Sequence, residues 1–195
     1  MAEDAHDSVG VGEDVGAIEL TAGTHMCCMY RGPGERDDLL LPFLSEGLDA
    51  GQTCFAAVSD PDPIRLRAFA EEELPGKLIL RTADEPIFDP DSFDVERIIA
   101  FWEETVTAEL AEDGVDFVRL SAEATWWLTQ LPTIDDLMHY EGRLKDFATR
   151  HPQSILCLYD IEALGAGVVF SAMKVHPRIW LSGLLLDNPF YELAS

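Results

Sequence analysis

The feature that most limits how this chain can fold is a set of short, almost wholly apolar runs that alternate with helix-like segments. The runs at 52–59 (QTCFAAVS) and 154–160 (SILCLYD) lack the apolar–polar alternation of a half-exposed strand. A strand that is apolar on both faces is typical of a parallel sheet covered by helices. The sequence therefore predicts an α/β fold with a mostly parallel sheet and helices on both faces.

Two segments show the apolar spacing of amphipathic helices. In the segment 92–114 the apolar side chains recur on one helical face, with Ser92 as the predicted N-cap and Gly114 as the predicted end. In the segment 133–150, Thr133 opens a predicted capping box. Both helices are expected to pack their apolar faces on the sheet.

Length and charge limit the class of protein. The segment 1–17 is acidic, lacks periodicity and is predicted to be disordered, which leaves 18–195 as a single domain that ends in a tail at 187–195. The formal net charge of −24 repels nucleic-acid phosphates and anionic lipids, so neither direct nucleic-acid binding nor membrane binding is expected. With no secretory signal and no bilayer-length apolar run, the sequence predicts a cytoplasmic protein.

The turn after the first predicted strand reads RGPGERDD (31–38), where nucleotide-binding α/β proteins place a phosphate loop. Such a loop needs glycines, a lysine for the phosphates and a hydroxyl for magnesium. The glycines are present, but no lysine or hydroxyl follows, and Glu35, Asp37 and Asp38 would repel phosphate. Nucleophile motifs such as G-x-S-x-G are also absent from the sequence, so we expect no enzymatic activity.

His25 and Cys27 lie two residues apart in the predicted strand 24–30 and therefore share one face. Cys54 and His176 could add ligands to a metal site there. Zinc sites, however, usually contain ligand pairs such as C-x-x-C, and this sequence has none. The sequence favours reduced thiols that fill a tight core, a hydrogen bond from His25 to a backbone group, and neither metal nor cofactor.

Aromatic residues mark a candidate pocket at the carboxyl ends of the strands, where parallel sheets bind ligands. Trp126 and Trp127 follow the predicted strand at 116–124, while Tyr30 and Tyr159 lie at the ends of two other strands. Such side chains can form the walls of an apolar pocket with a few polar groups at its mouth. The alternative for one tryptophan is packing against the following helix.

Several short motifs recur in order along the chain. The opening GTHMCCMYRGPGERDDLLLPFLSEGLDAGQ has a Gly-x-His-x-Cys strand that ends in an aromatic residue, then Pro-Phe-Leu-x-x-Gly-Leu in a helix. A tryptophan (Trp126 or Trp127), LMHYEGRL, LCLYD, HP at 176–177 and NPFY at 188–191 follow. Together these motifs resemble the MEDS domain, a sensory domain named for methanogens, methylotrophs and the repressor DcmR.

The resemblance implies a RecA/KaiC-type core without a functional phosphate loop, and a non-enzymatic sensor of a small, largely apolar hydrocarbon derivative. The candidate ligand-binding residues are His25, Cys27, Tyr30, Trp126, Trp127, Tyr159 and His176. His25 would supply a polar contact, Cys27 a close-packed wall and His176 a second polar contact. The expected partner is a separate kinase, anti-sigma factor or transcription factor, or an assembly of identical subunits. The alternatives are a nucleotide binder without hydrolysis and a ligand-free interaction module.

Overall fold

A computed structural model describes residues 20–59, 75–82, 94–124, 133–181 and 184–192. These ranges form the strands β1 (Thr24–Tyr30), β2 (Thr53–Val58), β3 (Lys77–Thr82), β4 (Val118–Glu123), β5 (Gln153–Asp160), β6 (Arg178–Leu181) and β7 (Leu184–Asp187). They also form the helices α1 (Gly32–Asp49), α2 (Val95–Leu110), α3 (Ile134–Ala148) and α4 (Ala166–Val175). The predicted disorder at 1–17 and the candidates Trp126 and Trp127 fall outside the described residues.

The strands form one sheet in the order β3–β2–β4–β5–β1–β6–β7. Every neighbouring pair is parallel except β6 and β7. The predicted, mostly parallel sheet is therefore confirmed. The sequence analysis did not predict β7, because its four residues become a strand only by pairing with β6, where Leu185 lies opposite Trp180.

Helices cover both faces of the sheet, as predicted. On one face α1 packs on a core that includes Cys28, Leu40 and Leu44. On the other face α2, α3 and α4 pack on a core that includes Cys27 and Trp102. Cys27 and Cys28 therefore point to opposite faces, as strand geometry requires. All four cysteines are buried and unbridged, which confirms the prediction of reduced thiols.

Local side-chain signals set the starts of two helices. Thr133 accepts a hydrogen bond from the backbone N of Asp136 at 3.2 Å, so the predicted cap of α3 is confirmed. In α2 the carboxylate of Asp94 accepts from the backbone N of Arg97 at 3.2 Å. Asp94 is therefore the N-cap of α2, because it stands directly before the first helical turn and satisfies a free N–H group there, while the predicted cap Ser92 lies outside the described residues.

Candidate functional site

Five polar side chains meet between the sheet and the helices α3 and α4. We call them the histidine cluster: His25, Glu141, Cys157, Tyr159 and His176. His25 comes from β1, while Cys157 and Tyr159 come from the same face of the neighbouring strand β5. Glu141 reaches them from α3, and His176 directly follows α4. Each of the five is at most 4% exposed, so the cluster is inside the protein.

The polar atoms of the histidine cluster converge closely. Oε2 of Glu141 lies 3.3 Å from Nε2 of His25 and 3.3 Å from Nε2 of His176. Sγ of Cys157 lies 3.5 Å from Nε2 of His25 and 4.0 Å from Oε2 of Glu141. These four residues offer ligand atoms that all lie within 4.8 Å of one another. The donor set is of the kind that binds metal ions in proteins.

Hydrogen bonds at the edge of the cluster orient two of its members. Tyr159 donates its hydroxyl to Oε1 of Glu141, which leaves Oε2 facing the two histidines. Nδ1 of His176 lies 2.7 Å from the carbonyl O of Ala172, and because a carbonyl only accepts, Nδ1 carries the proton. Nε2 of His176 and Nδ1 of His25 are buried without a hydrogen-bond partner among the described residues.

Burial governs the ionisation of the histidine cluster. Burial, with a contribution from His176, lowers the pKa of His25 to about 4, so this imidazole is neutral at pH 7. Burial alone would raise the pKa of Glu141, but His176 and His25 outweigh it and hold that pKa below its usual value. Burial raises the pKa of the Cys157 thiol and of the Tyr159 hydroxyl well above their usual values. A carboxylate is therefore held beside a neutral imidazole and a neutral thiol.

Three of the residues predicted from sequence meet in this cluster: His25, Tyr159 and His176. His25 is the second residue of β1, so the cluster lies beneath the helices rather than beyond the carboxyl ends of the strands. The predicted backbone hydrogen bond is made by His176, to Ala172, whereas Nε2 of His25 faces Glu141.

The other predicted residues lie elsewhere. Cys27 is fully buried on the same face as His25, and its Sγ lies 3.8 Å from the carbonyl O of Arg178, in a packing position. Tyr30 belongs to the opposite face of the sheet and does not reach the histidine cluster. Trp126 and Trp127 fall in a part of the chain that the structure does not describe.

Sequence reasoning missed Glu141 and Cys157 as site residues. Glu141 lies between Leu137 and Leu144 on the buried stripe of α3, so a charged residue inside an apolar stripe was the available signal. Cys157 pairs in register with Cys27, but that pairing follows from the strand order, which the sequence does not contain.

A second group of polar side chains, buried except for Ser59, lies at the carboxyl edge of the sheet. We call it the carboxyl-edge cluster: Tyr30, Arg36, Asp37, Ser59 and Glu123. Glu123 accepts hydrogen bonds from the hydroxyl of Tyr30 at 2.6 Å, from Nη1 of Arg36 at 3.1 Å and from Oγ of Ser59 at 2.7 Å. Nε of Arg36 also donates to Asp37 at 2.9 Å. Burial alone would lower the pKa of Arg36, but Glu123 and Asp37 raise it, so the guanidinium stays charged.

A surface groove of about 330 Å³ lies between α4 and the segment after β7. Its lining residues are Phe170, Met173, Lys174, Pro189, Phe190, Tyr191 and Glu192. Phe170 is 66% exposed and Phe190 63%, which is unusual for side chains of this size. Most residues that line this groove belong to the segment 187–195, which the sequence analysis interpreted as a tail, so the sequence analysis did not predict the groove.

Comparisons with known proteins agree with the motifs. The family model described as MEDS, the methanogen/methylotroph, DcmR sensory domain, matches residues 24–177. The chain is 24% identical over 163 residues to the transcriptional repressor DcmR of Methylorubrum extorquens, covering 83% of this chain. It spans only 61% of the length of that repressor.

Solved structures share the fold at low sequence identity. The flagellar accessory protein FlaH of Methanocaldococcus jannaschii matches with a TM-score of 0.50 and 11% identity, over 85% of this chain and 76% of FlaH. The KaiC-like protein PH0186 of Pyrococcus horikoshii matches with a TM-score of 0.53 and 13% identity, over 82% of this chain and 72% of that protein. The fold is therefore the KaiC-like three-layer α/β fold. In the described part of the chain, the helices are too short or too polar to cross a membrane.

Proposed function

The chain belongs to the family of methanogen/methylotroph, DcmR sensory domains, and on this basis we propose that it senses a small, largely apolar molecule, without catalysing a reaction, and signals to a partner protein. The proposed ligand site is the groove between α4 and residues 188–192. One observation carries this proposal: the groove is largely apolar, and the side chain of Asn188 donates both to the carbonyl O of Met173, in the groove wall, and to that of His176, in the histidine cluster.

The size and lining of the groove suit a small ligand. Its volume of about 330 Å³ is at the lower end of the range for ligand pockets, which is about 300–1,000 Å³. Phe170, Met173 and Phe190 supply apolar surface, and the ion pair between Lys174 and Glu192 at 3.0 Å adds a polar feature. In contrast, the atoms of the histidine cluster are too close together to admit an organic molecule.

Two contacts link the groove to the interior. The side-chain N of Asn188, next to the groove, donates to the carbonyl O of His176 at 2.7 Å. Nζ of Lys145, one turn after Glu141 on α3, lies 5.4 Å from the ring centre of Tyr191 in a cation–π contact. A ligand that displaced Tyr191 would therefore act on both α3 and α4.

The polar groups at the carboxyl edge support a role without nucleotide hydrolysis. Arg36, the cation that follows the glycines of this turn, is 1% exposed and already held by Glu123 and Asp37, while Arg31 is paired with Glu35 at 3.2 Å. Oε2 of Glu35 accepts from the backbone N of Arg31 at 2.7 Å, so a carboxylate stands at the start of α1. Phosphate would meet this negative charge where a phosphate loop offers free N–H groups.

A regulatory protein is the proposed recipient of the signal. The relative named as a transcriptional repressor supports an output to gene regulation, through a transcription factor, a kinase or an anti-sigma factor. The net charge of −24 argues that a partner, rather than this domain, contacts DNA. The exposed side chains of Phe170 and Phe190 offer a surface whose shape would change when the groove fills.

Thermal unfolding and calorimetry with defined probes test the proposal. The probes are dichloromethane, alcohols of one to four carbons, and Mg-ATP as the nucleotide. We expect one of the organic probes to stabilise the protein, by about 2.7 kcal/mol at one hundred times its Kd. Phe170→Ser should weaken that binding at least tenfold, since it removes a groove wall. Ile161→Ser is the matched control, because Ile161 is also exposed (42%) but lies outside the groove.

Each alternative function has its own outcome in this experiment. Stabilisation by Mg-ATP and by none of the organic probes would favour a nucleotide binder. No response to any probe would contradict the proposed ligand class and favour a ligand-free interaction module. Equal effects of Phe170→Ser and Ile161→Ser would show that the groove is not the binding site.

A further inference from the structure

We propose that His25, Glu141, Cys157 and His176 bind a divalent transition-metal ion, with Zn²⁺ as the best fit, inside the histidine cluster. This inference depends on the geometry of the cluster and not on the groove or its ligand. It differs from the expectation drawn from sequence, which considered His25 and His176 together with Cys27 and Cys54 and favoured the absence of a metal. The fold takes its donors from β1, α3, β5 and the end of α4.

The distances match a tetrahedral site. Bonds of about 2.0–2.3 Å to nitrogen, oxygen and sulfur place the ligand atoms of a tetrahedral zinc site roughly 3.3–3.6 Å apart. Oε2 of Glu141 lies 3.3 Å from Nε2 of each histidine, and Sγ of Cys157 lies 3.5 Å from Nε2 of His25. The contact from Sγ of Cys157 to Oε2 of Glu141, at 4.0 Å, is slightly longer. All separations among the four ligand atoms are within 4.8 Å, so a central ion would draw the more distant atoms closer together.

His176 contributes a buried ring nitrogen to the cluster. Its Nδ1 donates to Ala172, and its Nε2 lies 3.3 Å from Oε2 of Glu141. Nε2 is fully buried and makes no hydrogen bond to any described residue. An ion at the centre of the cluster would give this nitrogen a partner, with His25, Glu141 and Cys157 as the other ligands.

The surroundings supply the supporting contacts that metal ligands require. Ligating histidines usually donate their other N–H to a carbonyl or carboxylate, as His176 does to Ala172. Ligating carboxylates are themselves hydrogen-bonded, as Glu141 is by Tyr159 through the oxygen that does not face the histidines. Tyr159 is therefore a positioning residue for Glu141.

Charge and donor chemistry select the type of ion. Binding would release the proton of the Cys157 thiol to solvent, and the sulfur would form a bond to the metal. One thiolate and one carboxylate neutralise the two positive charges of the ion, which lowers the cost of burying all three. Two imidazoles and a thiolate favour Zn²⁺ over Mg²⁺ or Ca²⁺, which prefer oxygen ligands.

Metal content and cobalt binding test this inference on the full chain. Elemental analysis of protein purified without chelators should find about one zinc per chain. Metal-free protein titrated with Co²⁺ should develop a thiolate-to-cobalt charge-transfer band and the intense visible bands of tetrahedral cobalt. Cys157→Ser should abolish the charge-transfer band and weaken binding at least tenfold. Tyr159→Phe should retain the band with about 10–100-fold weaker binding.

Cys27→Ser is the matched control, because Cys27 is equally buried and pairs in register with Cys157 on the adjacent strand. It should keep full stoichiometry and the charge-transfer band. If Cys157→Ser does not fold, the band in the unmodified chain still reports thiolate ligation. Folded protein that binds neither Zn²⁺ nor Co²⁺ would overturn the inference, as would a Cys157→Ser protein that keeps the band. A negative result here leaves the organic-probe experiment on the groove unaffected.

Discussion

Replacing Glu123 by leucine should destabilise the fold by about 3–5 kcal/mol, because it removes one partner of a buried ion pair. Arg36 is 1% exposed and would keep Asp37 but lose the carboxylate that lies 3.1 Å from its Nη1. The hydroxyl of Tyr30 and the backbone N of Ser59 would lose acceptors at 2.6 Å and 2.8 Å. The expected loss is a large part of the 5–15 kcal/mol typical of a folded domain.

A double-mutant cycle separates the ion pair from the packing of the two side chains. Arg36→Met should also cost about 3–5 kcal/mol, since it leaves Glu123 buried without its cation. The double variant should cost less than the sum of the single variants, with a coupling energy of about 1–3 kcal/mol, because neither Arg36 nor Glu123 remains as the unpaired partner of the other. Asp37 loses its cation in the Arg36→Met variant and in the double variant alike, so that loss cancels in the cycle. Urea unfolding at pH 7, followed by circular dichroism, measures all four free energies of unfolding.

Two results would refute this reasoning. A loss below about 1 kcal/mol for Glu123→Leu is what an exposed ion pair gives, and it would mean that the carboxyl edge is open to water. Additivity within about 0.5 kcal/mol would mean that Arg36 and Glu123 do not interact in solution. In either case the argument against a phosphate site at this edge would lose its main support.

Two further predictions concern the packing of α1 and α3. Burial raises the pKa of Cys54 from 9.0 to about 12. The neutral thiol therefore contributes fully to the free energy of unfolding below pH 9, and this contribution falls by about 1.4 kcal/mol per pH unit up to pH 12. The free energy of unfolding of Cys54→Ser should therefore decline less steeply at alkaline pH than that of the unmodified protein. An equal slope for the two proteins would contradict the raised pKa of Cys54. Gly47→Ala should cost about 1–3 kcal/mol, because its Cβ would lie 2.6 Å from Sγ of Cys54 and 2.7 Å from Cδ of Arg119. Gly142 lies on α3 with open space where a Cβ would stand, so Gly142→Ala should stabilise the protein by about 1 kcal/mol. If the melting temperatures of Gly47→Ala and Gly142→Ala shifted in the same direction, this reasoning would be contradicted.

The fold was largely readable from sequence because its signals are local. Apolar runs identified β1, β2 and β5, and the periodicity of 92–114 identified α2. A strand that is buried on both faces shows an unbroken apolar run, and a helix that is buried along one stripe shows apolar residues at helical spacing, so both signals lie within a short stretch of sequence. Strand alternation also separated His25 from Tyr30, because residues at odd and even positions point to opposite faces. Grouping these two residues in one pocket overlooked that constraint.

The candidate site depends on contacts that no local pattern contains. His25 and Cys157 are separated by 132 positions and meet because β1 and β5 are neighbours in the sheet. Glu141 joins them only because α3 packs over that pair of strands, and His176 because α4 returns the chain to the same face.

By itself the sequence determined most of the strands and helices and which neighbouring side chains of a strand lie on opposite faces, since the chemistry of adjacent residues decides these properties. The order of the strands and the packing of the helices decided which buried polar groups meet. Those choices depend on the total free energy of the assembled core, to which every element contributes.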